Sequence, residues 1–321
     1  MEPAKVRGFI DERWPGAPIA STVQLAAAGF DDRTLTTAVR TGLLIRLRRG
    51  AYVRQLEWQT AKPWERDRLL IRAHYESTGG TARYSHVSAA RLHGCRVWNA
   101  SALVHVTTGY SNSTGSAGTD VRTHRFPLCE GELMSLWTGD GREILTTSLE
   151  RTVLDCARIL PLDEAAVIGD HALQKGASME AMRLLLAGSP TKRGSRRAAD
   201  LLAALDGRAE SAGETRTRLL LHSFGLRTYT AQVDIATREG RFRADFADAE
   251  ARVIIEFDGR KKYTDYGPVD EVLLAERGRE SALQELGWAV FRIKWKDLDR
   301  PGELRHRLFA FLEMQKRPRP A

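Results

Sequence analysis

An apolar strand that ends in acidic residues limits the fold of this chain more than any other feature. Residues 253–259 read Val-Ile-Ile-Glu-Phe-Asp-Gly. The β-branched Ile254 and Ile255 predict a buried strand. Its acidic end needs an explanation, because carboxylates that lie close together repel one another unless a cation or a raised pKa relieves them.

The segment before this strand brings further polar residues to the same place. It also reads as a strand, and the two predict a hairpin whose turn is centred after Glu250. Residues directly opposite in an antiparallel pair share a face. Asp245 is therefore expected opposite Glu256, and Arg243 opposite Asp258, so that three carboxylates and one arginine lie on one side of a small sheet.

This arrangement favours a hard divalent metal such as Mg²⁺, with Mn²⁺ as a substitute, because these ions take oxygen ligands. In phosphodiester cleavage a bound metal activates water and stabilises charge on the phosphate. We predict Asp245, Glu256 and Asp258 as metal ligands. Lys262 would orient the nucleophile or neutralise the transition state, and Glu214 would reach the cluster from the preceding helix.

A salt-bridged sheet edge, with the acids paired to Arg243 and Lys262, is the alternative to a metal site. The spacing favours the metal site. Asp245, followed after ten residues by Glu256-Phe257-Asp258, resembles the PD-(D/E)xK nuclease motif.

Residues 211–315 are also similar to the endonuclease-like domains related to very-short-patch mismatch repair nucleases. The similarity lies in Asp245-Phe246, Ile255-Glu256-Phe257-Asp258-Gly259, Arg277, Arg279, Leu283, Leu286-Gly287-Trp288, Val290, Arg292 and Trp295. It implies that Asp245 and Glu256 bind metal, with Glu214 as the acid of the first helix and Asp258-Gly259 as the acid-glycine pair. It also implies that Arg277 lies near the active site or DNA. The lysine of the broader motif falls at Asp258, and the histidine that often follows the glycine falls at Lys262.

The first 55 residues show the order of a winged helix. Residues 20–28 predict a helix that Gly29 ends, and Asp31 is the expected N-cap of a second helix over residues 32–41. Residues 43–53 alternate apolar and basic side chains around Gly50, which predicts a hairpin. The second helix is then the recognition helix and the hairpin is the wing.

The expected DNA contacts lie on these two elements. They are Arg33, Thr34, Thr37 and Arg40 on the recognition helix, and Arg46, Arg48 and Arg49 on the wing. The alternative interpretation is a solvated charged face on a small helical domain.

Three segments within residues 1–190 resemble the AbiEi-type antitoxin and transcription-regulator family. They are Arg46-Leu47-Arg48-Arg49-Gly50-Ala51-Tyr52-Val53, Ser85-His86-Val87-Ser88-Ala89-Ala90-Arg91-Leu92-His93-Gly94 and Thr147-Ser148-Leu149-Glu150-Arg151-Thr152-Val153-Leu154-Asp155. The resemblance implies DNA binding by the amino-terminal winged helix.

Histidines and an acid in the middle of the chain are interpreted as structural. His86 and His93 are seven residues apart on a predicted helix, about 10 Å along its axis, whereas paired histidine ligands prefer a spacing of four. Packing or surface roles are therefore expected for both. Asp155 is expected to pair with a neighbouring arginine.

Charge and composition favour a nucleic-acid partner over a membrane. Lys and Arg total 49 against 41 for Asp and Glu, which gives a formal net charge of +8. No stretch approaches the roughly 18–20 apolar residues that a span needs, and the opening residues do not predict an export signal. Three widely spaced cysteines do not predict a disulfide framework. We expect a cytoplasmic protein that binds DNA, and a toxin or repair protein as a further partner is left open.

The sequence thus predicts a mixed α/β protein with three domains and a basic linker. These are a winged helix (1–58), an α/β middle domain (59–188), the linker (189–210) and a restriction-endonuclease-like domain with a mixed central sheet (211–321). Mg²⁺-dependent hydrolysis of DNA is the favoured function. The alternatives are a non-enzymatic regulator or antitoxin that keeps the nuclease fold as a scaffold, and a nuclease that acts on RNA.

Overall fold

A small antiparallel sheet and three helices form the amino-terminal part of the computed structural model. The structure describes residues 3–109, 119–259 and 269–316. The elements of this first part are α1 (Pro3–Arg13), β1 (Ile19–Ser21), α2 (Thr22–Ala27), α3 (Asp32–Arg40), β2 (Leu44–Arg48) and β3 (Ala51–Arg54). The three strands lie in the order β1-β3-β2. The predicted helix–helix–hairpin order is confirmed, while α1 and β1 are additions.

Capping residues explain where the two central helices begin. The Ser21 hydroxyl accepts a hydrogen bond from the Gln24 backbone N–H at 3.2 Å, and the Gln24 side chain accepts one from the Ser21 N–H at 2.8 Å. This capping box starts α2 later than predicted, because Ile19–Ser21 pair with β3. Asp31 caps α3 as expected, accepting from the Thr34 N–H at 2.7 Å.

The middle of the chain combines helices with short strands. Its elements are α4 (Gln55–Thr60), α5 (Pro63–Ser77), α6 (His86–Leu92), β4 (Val104–Thr108), β5 (Val121–Arg125), β6 (Leu133–Trp137), β7 (Glu143–Thr147), α7 (Leu149–Ile159), α8 (Leu162–Gln174) and α9 (Met179–Ala187). Strands β4 and β5 pair in parallel, and β6 and β7 form an antiparallel hairpin that the sequence did not predict. Ser148 caps α7, as expected.

Tyr84 joins these strand pairs. Its backbone bridges Val106 of β4 and Thr146 of β7. Its ring is fully buried, and its hydroxyl lies 2.9 Å from Nδ1 of His74. Burial lowers the pKa of His74 to about 4, so this histidine is a neutral member of the core.

The remaining elements build the carboxy-terminal sheet and its helices. They are α10 (Ser195–Ala204), α11 (Ala212–Ser223), β8 (Thr230–Thr237), β9 (Gly240–Asp248), β10 (Val253–Asp258), α12 (Val269–Glu285), β11 (Ala289–Lys294), α13 (Trp295–Leu298) and α14 (Pro301–Lys316). The strand order is β11-β10-β9-β8, with β10 and β11 parallel and the other pairs antiparallel. The predicted mixed sheet and the mixed α/β class are both confirmed.

The hairpin between β9 and β10 has the predicted register. Val253 pairs with Asp248, Ile254 with Ala247 and Ile255 with Phe246. The Asp248 side chain accepts hydrogen bonds from two N–H groups in the turn, at 3.1 and 3.0 Å. This turn, with no inserted residue, keeps the acids of β10 opposite the polar end of β9.

The chain divides into two compact units. One comprises Met1–Leu160 and Ser178–Ala198, and the other comprises Pro161–Ala177 and Ala199–Ala321. The predicted three-domain division stays a prediction. Within the second unit, the buried Asp170 of α8 accepts hydrogen bonds from Arg218 at 2.7 Å and Thr215 at 2.9 Å, which hold α8 against α11.

Candidate nucleic-acid interface and acidic site

The predicted recognition helix α3 presents two arginines on its outer face. Arg33 and Arg40 are exposed, and Thr34 is half-buried. Thr37 is buried, and its hydroxyl donates to the Arg33 carbonyl at 2.8 Å. Thr36, which is not among the predicted contacts, is exposed between the two arginines. Its position three residues after Arg33 places it on the same face of the helix, so the sequence could have predicted it.

The wing carries two exposed arginines and one that is engaged. Arg46 and Arg49 are exposed. The Arg48 side chain is only 17% exposed, forms an ion pair with Asp120, and donates from Nε to the Ser77 hydroxyl at 3.2 Å. The wing therefore offers Arg46 and Arg49 to solvent, whereas Arg48 fixes the wing to neighbouring structure.

The predicted acidic cluster begins with Asp245 and Glu256, which the structure places side by side. Oδ2 of Asp245 accepts a hydrogen bond from the Phe257 N–H at 2.8 Å, and Oε1 of Glu256 accepts one from the Asp245 N–H at 3.1 Å. The two side chains thus replace ladder hydrogen bonds at the end of the hairpin. Each carboxylate has one oxygen committed to the backbone of the opposite strand.

Glu214 lies in the first turn of α11 and is 7% exposed. Its Oε2 accepts hydrogen bonds from the Glu210 N–H at 2.7 Å and from the Gln232 amide at 2.8 Å. Gln232 interrupts the ladder between β8 and β9 at the position facing Asp245, with a φ of 56°. The Gln232 side chain therefore links Glu214 to the sheet, and the β8–β9 register is the same on both sides of it.

A close approach of helix and strand sets this end of α11. A Cβ atom on Gly213 would lie 1.9 Å from Cε1 of Phe257. The Phe257 ring also packs edge-on against Trp295, with centroids 5.0 Å apart. The glycine lets the helix start directly against the strand that carries the acids.

Asp258 and Arg243, which are also predicted for this site, contact other residues. Asp258 is in register with Lys294 of β11, with Oδ2 and Nζ 3.9 Å apart. Arg243 pairs with Glu210 at 3.0 Å and not with Asp258. Arg277 is exposed on α12, and Lys262 lies outside the described residues. Lys294 was not predicted, because its position depends on a pairing between strands that are separated by a helix.

Three histidines in the middle of the chain are placed so that they could hold a metal ion. The ligand atoms of His86, His105 and His124 lie within 4.8 Å of one another. Within residues 3–109, 119–259 and 269–316, no other group of three or more His, Cys, Asp or Glu residues does so. The carboxylates of Asp245, Glu256 and Asp258 do not form such a group. They therefore do not fit a preformed three-carboxylate Mg²⁺ site.

The three histidines come from α6, β4 and β5. Nδ1 of His105 lies 2.9 Å from Nε2 of His124, and the His86 and His124 rings stack with centroids 3.6 Å apart. Burial, above all, lowers the pKa of His105 to about 3 and of His124 to about 4, and holds that of His86 well below its usual range. His93 is a packing residue, as predicted, with Nε2 2.8 Å from the Thr147 carbonyl oxygen.

A buried ion-pair group lies near this histidine cluster. Nε of Arg151 donates to Asp155 at 2.8 Å, and Nη1 of Arg151 donates to Glu132 at 2.7 Å. Arg158 also donates to Asp155, at 3.2 Å. The prediction that Asp155 pairs with a neighbouring arginine is confirmed.

Comparison with known proteins finds similarity at the winged helix. Residues 16–55 match a family model described as a transcriptional regulator, AbiEi antitoxin. These residues run from β1 to the beginning of α4, and so include α3, the predicted recognition helix, and the hairpin of β2 and β3, the predicted wing.

Two curated relatives and one solved structure are also similar. The uncharacterized proteins Rv2248 and MT2308, from two strains of Mycobacterium tuberculosis, are each 33% identical over 175 residues. The match covers 53% of this chain and 62% of each relative, which is less than two thirds of their length. The crystal structure of the RV2827C protein from Mycobacterium tuberculosis gives a TM-score of 0.44 at 16% identity, over 67% of this chain and 80% of that one. None of the described helices combines the length and apolar character needed to cross a membrane.

Proposed function

We propose that the chain is a DNA-binding transcriptional regulator of the AbiEi antitoxin type. The observation that carries this proposal is the segment at residues 16–55, which matches that family and folds as a winged helix. From the sequence alone, this function was the alternative to a nuclease.

The exposed charges of the winged helix support this function. Arg33 and Arg40 flank Thr36 on the outer face of α3, the element that enters the major groove in winged-helix proteins. Arg46 and Arg49 lie exposed on the wing, where guanidinium groups reach phosphates. A net charge of +8 adds a general attraction to DNA.

Fluorescence anisotropy tests the proposal with two labelled duplexes of equal length. One carries the promoter region of the chain's own gene, and the other is its scrambled sequence. We expect tighter binding of the promoter duplex, and affinity that falls as the salt concentration rises. Equal binding of both duplexes at every salt concentration would contradict a regulator.

A double variant, Arg46→Ala with Arg49→Ala, locates the interface. Each lost phosphate contact should reduce the slope of log affinity against log salt by about 0.9, so the double variant should lose about 1.8. Arg183→Ala is the control, because Arg183 is an exposed arginine on α9 of the same unit. An unchanged slope in the double variant would exclude the wing as a phosphate contact.

Hydrolysis of DNA is a second candidate function, supported by one specific observation. Asp245 and Glu256 lie side by side at the end of β10, in the register that the nuclease motif requires, and Gln232 links Glu214 to the same sheet. Asp245 and Glu256 would be the residues that hold a metal ion. The third predicted ligand, Asp258, lies beside Lys294 of β11.

Plasmid nicking with and without Mg²⁺ decides this second candidate. Wild type should nick supercoiled DNA only with Mg²⁺, and Asp245→Ala should lose that activity. Structured RNA in a parallel reaction tests RNA as the substrate. Nicking that is absent, or that persists in Asp245→Ala, would contradict hydrolysis at this site.

A further inference from the structure

Three imidazole rings from three separate elements converge in the first unit. His86 begins α6, His105 lies in β4 and His124 lies in β5. The ligand nitrogens all lie within 4.8 Å of one another. His86 and His105 are buried, and His124 is half-buried at the open side of the cluster. Nothing in the predicted DNA interface or in the acidic site uses these residues.

We propose that His86, His105 and His124 form a transition-metal site whose ion is Zn²⁺. Three imidazole nitrogens without a carboxylate match the ligand preference of zinc and similar borderline metals, and not that of Mg²⁺ or Ca²⁺, which take oxygen ligands. Three protein ligands also leave a fourth position for water or another small ligand.

In the proposed site, Nε2 of His86 faces the ion and Nδ1 donates to a neighbouring hydroxyl. Nδ1 of His86 lies 2.9 Å from the Ser85 hydroxyl, which also accepts a hydrogen bond from the Thr107 hydroxyl at 2.7 Å. With Nδ1–H donating to Ser85, the lone pair of His86 is on Nε2. Metal-binding histidines commonly donate their second ring N–H in this way, which fixes both tautomer and orientation.

The contact between His105 and His124 supplies the other two ligand atoms. Nδ1 of His105 and Nε2 of His124 are 2.9 Å apart. In a tetrahedral site with Zn–N bonds of about 2.0–2.1 Å, ligand nitrogens lie about 3.4 Å apart. Binding therefore requires the pair to separate by about 0.5 Å. The proton shared in this hydrogen bond must also leave the contact, by transfer to the other nitrogen of its ring or to water, so that both facing nitrogens carry lone pairs.

The backbone holds two of the rings in place. The Ser88 hydroxyl accepts from the His105 N–H at 2.8 Å, and the His105 carbonyl accepts from the Ser85 N–H at 3.1 Å. These bonds fasten β4 to α6. His86 itself has a φ of 50°, a strained conformation for a residue with a side chain. Strain of this kind persists where surrounding structure fixes it, and it accumulates at functional sites.

Part of the positive charge near the cluster is neutralised by acids. Arg122 acts electrostatically on His105 and His124, and Arg91, which pairs with Asp67, acts on His105. Arg151 and Arg158 both interact with His86 electrostatically. They share the buried Asp155, and Arg151 also binds Glu132. Two arginines and two carboxylates thus balance, so this group adds no net positive charge that would repel a divalent cation.

Metal titration of the full-length chain tests the site, after removal of bound metal with EDTA. We expect one equivalent of Zn²⁺ to bind, and one equivalent of Co²⁺ to give the intense visible absorption of a tetrahedral site with nitrogen ligands. Zn²⁺ should also raise the melting temperature, because an ion that binds only the folded state stabilises it. A pale, octahedral Co²⁺ spectrum with no change in melting temperature would overturn the proposal.

Variants assign the site to the three histidines. His105→Gln and His124→Gln should each lower Zn²⁺ affinity at least about tenfold and abolish the tetrahedral Co²⁺ spectrum. His306→Gln is the control for binding by a surface histidine, because His306 is exposed on α14, and it should bind as wild type does. Wild-type affinity in the two cluster variants would place the metal elsewhere.

Ser85→Ala keeps all three ligands and guards against misfolding of the histidine variants. It removes the oxygen that binds Nδ1 of His86 and that accepts from the Thr107 hydroxyl. It should weaken Zn²⁺ binding by about 10–100-fold with an unchanged circular dichroism spectrum. Unchanged Zn²⁺ affinity in Ser85→Ala would contradict coordination of the ion through Nε2 of His86. If the three histidines only form a hydrogen-bonded stack and do not bind metal, neither the Co²⁺ spectrum nor the melting temperature would change in any of these measurements.

Discussion

Two polar clusters of this protein differ in what their donor atoms bind. At the end of β10, the carboxylates of Asp245 and Glu256 accept hydrogen bonds from N–H groups of their own hairpin. In the histidine cluster, the ring nitrogens of His105 and His124 face each other. The acids thus complete the backbone hydrogen bonding of a sheet, whereas the histidines bring three ring nitrogens within 4.8 Å of one another. Residue type alone does not define a metal site, because the atoms must also be disposed toward an ion.

The largest expected effect comes from the close packing of α11 against Phe257, the residue between the two acids of β10. In Gly213→Ala, the new Cβ would lie 1.9 Å from Cε1 of Phe257, so the Phe257 ring or the start of α11 must shift. We expect a loss of about 2–3 kcal/mol in the free energy of unfolding, measured by urea denaturation. Gly302→Ala is the control, because a Cβ there meets nothing within 4 Å. Equal stability of the two variants would contradict the close packing.

A second variant separates a backbone role for Asp245 from a role in metal binding. Asp245→Ala removes the acceptor of the Phe257 N–H, and an unsatisfied donor there should cost about 1–3 kcal/mol without any metal. Asp245→Asn keeps an acceptor oxygen and should cost less. Urea denaturation in EDTA measures both. Wild-type stability of Asp245→Ala would show that the carboxylate does not support the hairpin, and would favour a functional role.

The hairpin and the histidine cluster also differ in how far the sequence could predict them. The register that places Asp245 beside Glu256 follows from a short turn, because local sequence sets which residues oppose each other. His86, His105 and His124 come from three elements, whereas helical spacing relates His86 only to His93. The same reasoning applies to Lys294, whose position beside Asp258 depends on a parallel pairing across a helix. The pairing of Arg48 with Asp120 likewise joins distant segments.

His74, a buried histidine of the core, makes the stability of the protein depend on pH. Its pKa is about 4, below the ordinary 6.5, because burial disfavours the charged ring. As the pH falls, the unfolded chain takes up this proton first, so stability present above pH 6.5 is lost toward pH 4. His74→Gln should reduce this loss by on the order of 1 kcal/mol between about pH 7 and pH 4.5. Urea denaturation across that range checks it, and parallel curves for variant and wild type would contradict it.

The smallest expected effect compares two adjacent arginines of the wing. Arg49 is exposed, whereas Arg48 is paired with Asp120. Under the proposed DNA-binding function, Arg49→Ala should reduce the salt slope of binding by about 0.9. Arg48→Ala should leave the slope unchanged and lower the free energy of unfolding by about 1 kcal/mol or less, as expected for an ion pair with an exposed partner. Anisotropy titrations at several salt concentrations, with urea denaturation of both variants, measure these effects.

A reduced slope in Arg48→Ala would mean that the Arg48 guanidinium leaves Asp120 and binds a phosphate when DNA binds. The ion pair would then be a contact that is exchanged on DNA binding, and not a fixed part of the wing.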